Sequence, residues 1–430
     1  MRKKLLFVSV LISIQLSAQT LLPGGIAEIV ENKVELAGCN YASYFNVYRY
    51  LLQQGETQMT PSPEGYEPFY ISHYGRHGSR YMIDEKEANE ACATLRKAND
   101  EGKLTDTGKA TIVKLEQVVK TMQGRGGDLA KLGLKQHRDI AYRMFNNYPE
   151  IFKGEKTIDA KSTFVPRSIL SMGSFCQTLK GLNNQLEIET DASGHDTYFL
   201  CQDRVKIPDR PKEEGEWYQK FLDYGAKKRN PERLMSTLFT DPHFLDQEAA
   251  RKLSVQLFNV ACALQNMPKV NCELLSIFSP DELLNYWQAQ NAFWYVFCGG
   301  YTTPHKRARE LSIDLLNDII TQADSAIANK QVSGHFRFGH DTGLLPLVVW
   351  MKINSPYEQV NDMDELYKTW VDFRAIPTAA NVQFVFYKSK KSNDVLVKVL
   401  LNEEEATLPI KAIEGPYYRW NDLKEYCKSL

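Results

Sequence analysis

Pro68-Phe69-Tyr70-Ile71-Ser72-His73-Tyr74-Gly75-Arg76-His77-Gly78-Ser79-Arg80 is the stretch around which the chain is organised. Its first half is a short run rich in aromatic and β-branched residues, the composition of a strand. Its second half is Arg-His-Gly-Ser-Arg, two guanidiniums flanking one imidazole. Such cations do not pack a core, because a buried charge is costly unless an opposite charge compensates it. The economical reading is an anion site at the end of a strand, with the imidazole aimed at the anion. The forked head of arginine suits phosphate oxygens, and Gly78 lets the backbone approach a ligand closely. A surface-exposed basic turn is the bland alternative, so the rest of the chain must decide.

Downstream, residues 85–99 and Thr105 to Met122 carry apolar residues at helical spacing, with Thr105 or Asp106 as the cap of the second helix. The glycines of Gly124-Arg125-Gly126-Gly127 break it. Another helix opens at Gly127-Asp128-Leu129-Ala130 and runs through Gln136-His137 to about Tyr148. Thr157 to Phe164 reads as a strand, and Pro166 suits the first turn of the helix after it. Arg167 therefore stands at a strand-to-helix junction, where free backbone N–H groups already favour an anion. Ser333 to Gly339 reads as a strand, followed by His340-Asp341 and an apolar helix through Trp350. Asn381–Tyr387 and Asp394–Leu400 read as an antiparallel pair at the side of a mixed sheet.

Gly-His-Asp-Thr occurs at 194–197 and again at 339–342. The first copy follows the turn-like Asp191-Ala192-Ser193 and precedes an apolar run, Tyr198 to Cys201, expected to be a strand. The second follows a strand and opens a helix. Ligands of open α/β sheets gather outside the carboxyl ends of strands. Only the second copy brings its His and Asp to the sheet edge that carries His77, so His340-Asp341 is chosen and His195-Asp196 is set aside.

The chain starts with a basic Met1-Arg2-Lys3-Lys4, a short apolar run from Leu5 to Leu16 and small residues at 17–20, the pattern of a secretory signal peptide cut near Ala18 or Gln19. The apolar run is too short for a comfortable membrane span, so a periplasmic or secreted location without stable membrane insertion is expected. The remainder is expected to fold as an α/β domain of residues 20–205 and 330–430, interrupted by an all-helical cap over 206–329. Trp217, Trp287 and Trp294 would anchor that cap, and Tyr41, Tyr44, Tyr48 and Tyr50 would anchor the irregular residues 22–66. A net charge of −1 argues against a nucleic-acid surface, which needs a broad basic face. The eight cysteines show no metal-ligand spacing. Cys262 and Cys272 are a candidate local disulfide. Oligomeric state is not legible.

Three separated blocks resemble those of the histidine acid phosphatases, branch 2 of the histidine phosphatase superfamily, which includes phytases, acid glucose-1-phosphatases and multiple inositol polyphosphate phosphatases. Arg76-His77-Gly78-Ser79-Arg80 is similar to the RHGxR signature. Ser162-Thr163…Arg167…Ser171…Phe175…Leu179 resembles the block that supplies a third phosphate-binding arginine. Gly339-His340-Asp341 with Leu344, Pro346 and Leu347 resembles the second catalytic motif. Gly127 to His137 resembles a further family helix, with Ala130 where Thr is usual; His137 is expected to be structural. The resemblance implies a phosphoglycerate-mutase-like mixed sheet with flanking helices. It also implies phosphate binding by Arg76, Arg80, Arg167 and His340, a phosphohistidine on His77, Asp341 as proton donor, and no cofactor or metal.

Two departures touch substrate choice. Animal-type inositol polyphosphate phosphatases carry His-Ala-Glu at the second motif, whereas this chain has His-Asp. Met82 stands where the family has Pro, and residues 81–87 are not the basic cluster expected of a phytate specialist. Lys161, Arg204 and Lys206 are the candidates for added positive charge. A mutase-like phosphotransferase and a non-catalytic phosphate-binding protein are the competing readings. The expected signal peptide weighs against the former, and the intact His77 and Asp341 weigh against the latter.

Overall fold

A computed structural model describes residues 28–29, 34–48, 59–200, 215–267, 270, 272–298, 306–329, 332–354, 360 and 362–430. The signal-peptide-like segment, Tyr50, Cys201, Arg204, Lys206 and the Trp217 side chain lie outside that description. The strands are β1 (Tyr66–Arg76), β2 (Thr157–Ser162), β3 (Glu187–Asp191), β4 (Val332–Gly339), β5 (Asn381–Ser389), β6 (Leu396–Leu401), β7 (Glu404–Glu405) and β8 (Tyr417–Arg419). They form one mixed sheet in the order β3-β2-β4-β1-β5-β6-β7, with β8 also pairing β6. β3, β2, β4 and β1 are parallel, and β5 runs antiparallel beside β1. In the β1–β4 register Arg76 lies opposite Gly339, and in the β2–β4 register Ser162 lies opposite Phe338. The carboxyl ends of β1, β2 and β4 therefore stop at one edge.

Apart from single turns, the α-helices are α1 (Lys86–Asp100), α2 (Asp106–Met122), α3 (Lys131–Asn147), α4 (Pro166–Leu182), α5 (Gly215–Lys228), α6 (Glu232–Leu238), α7 (Gln247–Ala263), α8 (Pro280–Phe297), α9 (Lys306–Asn329), α10 (Asp341–Trp350) and α11 (Trp420–Ser429). Local chemistry sets their starts. The Thr105 hydroxyl accepts from the Gly108 N–H at 3.1 Å at the head of α2. Ser279 and Glu282 form a reciprocal capping box at the head of α8. Alternation along β1 sorts its side chains between two layers. Ile71 packs with Ile140, Met144 and Phe175 of α3 and α4. Tyr70 and Tyr74 pack on the other face, in a core that includes Leu315 and Ile319 of α9 and Leu344 and Val348 of α10. A third core is largely helical: Leu95, Leu115, Leu238, Leu257 and Trp287 bring α1, α2, α6, α7 and α8 together with residues 36–42.

Two expectations need correction. Thr197–Leu200 is one turn of helix rather than the start of a strand. The Asp196 carbonyl accepts from the Phe199 and Leu200 N–H groups, which closes a helical turn before a ladder can form. Cys262 and Cys272 are free thiols; Cys262 is buried on α7 within the helical core, while the Cys272 Sγ faces the Lys114 carbonyl. Trp287, Trp294, Tyr44 and Tyr48 are buried as expected, and Tyr41 is partly so. Among the described residues no helix is long and apolar enough to cross a membrane.

Candidate active site

β1 delivers Arg76 to the sheet edge, and segments on both sides clamp the turn beyond it. The His77 N–H donates to the Gly339 carbonyl at 2.9 Å, and the Ala379 N–H donates to the His77 carbonyl at 3.0 Å. The turn then crosses the start of α3 at glycine-to-glycine distance. A Cβ on Gly78 would sit 2.5 Å from the Gly133 Cα, and one on Gly133 would sit 2.4 Å from the Ser79 carbonyl oxygen. Neither position admits a side chain without moving backbone, so the pair fixes where His77 points. Gln136 and Ser171 finish the clamp: Gln136 Oε1 accepts from the Ser79 N–H at 2.8 Å and Ser171 Oγ from the Gly78 N–H at 3.1 Å. Arg167 comes from the first turn of α4, with Pro166 ahead of it. His340 caps α10, and Asp341 is that helix's first residue. Both helix starts add partial positive charge at this edge.

The Arg76 guanidinium is fully buried. Nη1 donates to the carbonyls of Asn40 at 2.8 Å and Ile376 at 2.6 Å, and Nη2 lies 2.8 Å from Asp341 Oδ2. That last contact is an ion pair without hydrogen-bond alignment, and Arg76 Nε has no hydrogen-bond partner among the described residues. Arg80 donates from Nη1 to the Tyr81 carbonyl at 3.0 Å and lies 5.1 Å over the Tyr41 ring, yet its buried Nε is also unpaired. Unsatisfied buried guanidinium N–H groups are expensive, and an anion seated between them would satisfy them. One guanidinium nitrogen of Arg167 approaches the Gly127 corner. The His77 and His340 rings sit edge to face, 5.5 Å between centres. His340 Nε2 is 3.2 Å from Thr163 Oγ1.

Electrostatics give the groups different characters. His77 Nδ1 lies 2.9 Å from the Gly78 carbonyl oxygen. A carbonyl only accepts, so Nδ1 carries the proton and Nε2 keeps its lone pair. Burial holds the His77 imidazole well below its ordinary pKa, and the nearby charges of Arg76, Arg167, His340 and Arg80 push it the same way. The ring therefore stays neutral into the acid range. Burial also pushes Arg76 down to about 10, against the pull of Asp341. For Asp341 burial acts upward, but Arg76, the Asn40 amide, His340 and Arg80 together bring the carboxyl below its usual value. Such an arrangement can grip a tetrahedral dianion, offer it an unprotonated nitrogen and present a carboxyl beside it.

His77, Arg76, Arg80, His340 and Asp341 thus stand together, and Arg167 is close enough to act on the His77 charge. The first Gly-His-Asp-Thr copy has other work. Asp196 is buried and takes the Lys161 ammonium at 2.9 Å, while the His195 ring is largely in solvent. Lys161 is thereby engaged. His73 is boxed by Phe175, Phe336 and Phe338, and burial pushes His137 down to about 3 against Phe338. Among the described residues no cluster of three or more His, Cys, Asp or Glu side chains has the arrangement of a metal site.

Comparison with known families decides the kinship. The family model described as histidine phosphatase superfamily, branch 2, matches residues 75–402. The chain belongs to that superfamily. No curated protein matches the sequence, but solved structures of low identity share the fold. Multiple inositol polyphosphate phosphatase from Bifidobacterium longum, in complex with inositol hexasulfate, superposes with a TM-score of 0.71 at 17% identity, covering 90% of this chain and 96% of that one. The phytase from D. castellii gives 0.69 at 16% identity, covering 93% and 85%.

Within this histidine phosphatase, sequence reading missed one contributor entirely. Asn40 lies in a stretch read only as irregular, yet its side chain reaches Asp341 Oδ2 at 3.0 Å. Nothing in Cys39-Asn40-Tyr41 signals this, because the contact spans some three hundred residues. Gln136, Thr163 and Ser171 belonged to quoted blocks, but their roles as clamps depend on the crossing of α3, α4 and the β1 loop.

Proposed function

We propose that this chain is a phosphomonoesterase, exported to the periplasm or beyond, that hydrolyses inositol or sugar phosphates through a phosphohistidine on His77. The observation that carries the reading is the buried His77 imidazole, its Nδ1 2.9 Å from the Gly78 carbonyl oxygen, beside the Arg76 and Arg80 guanidiniums, each with a buried Nε that no described residue satisfies. Arg76, Arg80 and Arg167 hold the phosphoryl oxygens in line and neutralise them, and His340 adds a donor. The Nε2 lone pair forms the N–P bond as the P–O bond to the alcohol breaks, and Asp341 gives its proton to the leaving oxygen. In the second step Asp341 takes a proton from water as that water attacks phosphorus, the N–P bond breaks, and phosphate leaves.

The depressed Asp341 carboxyl fits an acid optimum. A bound phosphate dianion draws on Arg76 and adds negative charge beside Asp341, and both effects raise its pKa. His77 stays neutral in the same range, so nucleophile and acid are competent together below neutrality. Export rests on the basic-then-apolar start of the sequence. The inositol-phosphate preference rests on the Bifidobacterium longum relative, whose crystal contains inositol hexasulfate. The engagement of Lys161 with Asp196 leaves less added charge for a fully phosphorylated ring, which favours less phosphorylated substrates. The cap extends over residues 206–329 beside the catalytic edge, with α1 and α2 packed against its α6, α7 and α8.

The test is release of inorganic phosphate from para-nitrophenyl phosphate, phytate and glucose-1-phosphate without added metal, alongside His77→Ala. The expected result is release from all three, abolished by His77→Ala, with acid-labile label from a radioactive monoester trapped on the wild type only. Tight binding without release marks a binding protein, and transfer to an added alcohol in place of water marks a mutase-like enzyme.

A further inference from the structure

Asn40 touches both halves of the candidate machinery. Its backbone carbonyl accepts from Arg76 Nη1 at 2.8 Å, and its side-chain Nδ2 donates to Asp341 Oδ2 at 3.0 Å. Asp341 Oδ1 accepts from the Thr342 N–H at 2.9 Å. Oδ2 thus has two side-chain partners, Arg76 by ion pairing and Asn40 by a hydrogen bond, and they are not equivalent. Arg76 is shared with the substrate: an incoming dianion competes with Asp341 for Nη2. Asn40 is neutral and has much less to gain from the anion, so it remains on Oδ2 when the anion draws on Arg76.

The segment that carries Asn40 is built to hold it. Cys39, immediately before, has φ 53° and ψ −121°, a conformation that L residues rarely adopt and that persists only where packing imposes it. Its side chain is buried in the helical core. The turn after α7 pins the rest. Gln265 donates to the Glu35 carbonyl and accepts from the Ser43 N–H, both at 2.9 Å, and Asn266 donates to the Tyr41 carbonyl at 2.8 Å. Asn266 Oδ1 also accepts from Ser79 Oγ at 2.7 Å, which ties this turn to the Arg76–Arg80 loop.

We propose that Asn40 is a positioning residue for the reaction: it fixes the Asp341 carboxyl as proton donor and limits how far substrate binding raises its affinity for a proton. The inference rests on the assignment of Asp341 as the acid. The charged and titratable groups facing that carboxyl are Arg76 and Arg80 from β1 and its loop, His340 on its own segment and the Cys298 thiol at the end of α8. Asn40 is the uncharged donor among the side chains on Oδ2, and removing it changes no formal charge.

The test is the pH profile of kcat for an alkyl phosphate in Asn40→Leu and Asn40→Asp. Loss of a hydrogen bond to a carboxylate raises its pKa, so the alkaline limb of Asn40→Leu moves up by about one pH unit. Asn40→Asp, nearly isosteric, puts a second carboxylate against Oδ2 and moves the limb further the same way; it carries the test if Asn40→Leu does not fold. A merely structural role lowers kcat and leaves the limb in place, which overturns the proposal. Asp341→Asn separates the two levels of the argument. If it erases the limb while the Asn40 variants do not shift it, only the role of Asn40 fails. If Asp341→Asn leaves the limb in place, the assignment of the acid fails first.

Discussion

Asp341→Asn tests the mechanism with two effects of opposite sign. The first is on the leaving group. An inositol or sugar alkoxide is a strong base and needs a proton as the P–O bond breaks, whereas nitrophenolate leaves nearly unaided. General-acid assistance contributes typically ~10²–10⁴-fold, so kcat for an alkyl phosphate should fall by about that factor and kcat for para-nitrophenyl phosphate by far less. The second effect is on binding. The carboxylate sits 2.8 Å from Arg76 Nη2 and competes with phosphate for the same guanidinium. One charge about 5 Å from a phosphoryl group, at an effective dielectric near 20, corresponds to about 3 kcal/mol of repulsion. Relaxation of the site takes part of this, and at a pH above the optimum, where Asp341 stays ionised beside bound phosphate, the inhibition constant for inorganic phosphate should drop by at least ~tenfold. Steady-state kinetics on both substrates with phosphate as competitor read both numbers. Asp196→Asn is the control, since Asp196 serves Lys161. A selective loss on alkyl phosphates from Asp196→Asn, with Asp341→Asn silent, refutes the assignment. Equal loss on both substrates points to a slow second step, and a pre-steady-state burst of nitrophenolate would show it.

Two further expectations concern stability. Glu403 grips Arg143 with bonds of 2.9 and 2.7 Å and accepts from the Tyr44 hydroxyl at 2.8 Å, all buried; Glu403→Gln leaves a buried guanidinium uncompensated and should cost roughly 3–5 kcal/mol in urea unfolding, and a loss under about 1 kcal/mol would show that the pair is dispensable. Burial pushes the Asp372 carboxyl up to about 6, against hydrogen bonds from Trp287 and the Phe373 N–H. The folded protein thus holds this proton to higher pH than the unfolded chain does, and stability falls as pH rises from about 4 through about 6. Unfolding free energies compared at about pH 5 and about pH 7.5 should fall more in the wild type than in Asp372→Asn, by about 1.4 kcal/mol, the worth of the one pH unit between about 5 and about 6; equal falls would contradict the raised value.

The convergence of the candidate site was legible because its parts are local. Arg76-His77-Gly78, Val165-Pro166-Arg167 and Gly339-His340-Asp341 each announce a strand end and a turn within a few residues, and parallel pairing brings their ends together. The separate placement of the two Gly-His-Asp-Thr copies was legible for the same reason. The short helix at Thr197–Leu200 was not, because four apolar residues satisfy either period. Packing among helices was equally hidden. α1 and α2 look like ordinary amphipathic helices, and nothing in their spacing says that they pack with α6, α7 and α8 instead of on the sheet. Asn40 was invisible because its partners, Arg76 and Asp341, depend on a backbone path through Cys39 that no local pattern encodes.

The placement of β1 has a consequence for synthesis. Both of its sheet neighbours, β4 and β5, come from the last third of the chain. While the ribosome works through the intervening 250 or so residues, an eleven-residue strand has neither edge covered, and an open apolar edge invites pairing with another chain. His77 is made long before Asp341. A polypeptide stopped short of β4 would thus lack half of the candidate site and be prone to aggregate, and the site would be complete only as the closing strands slide in on either side of β1.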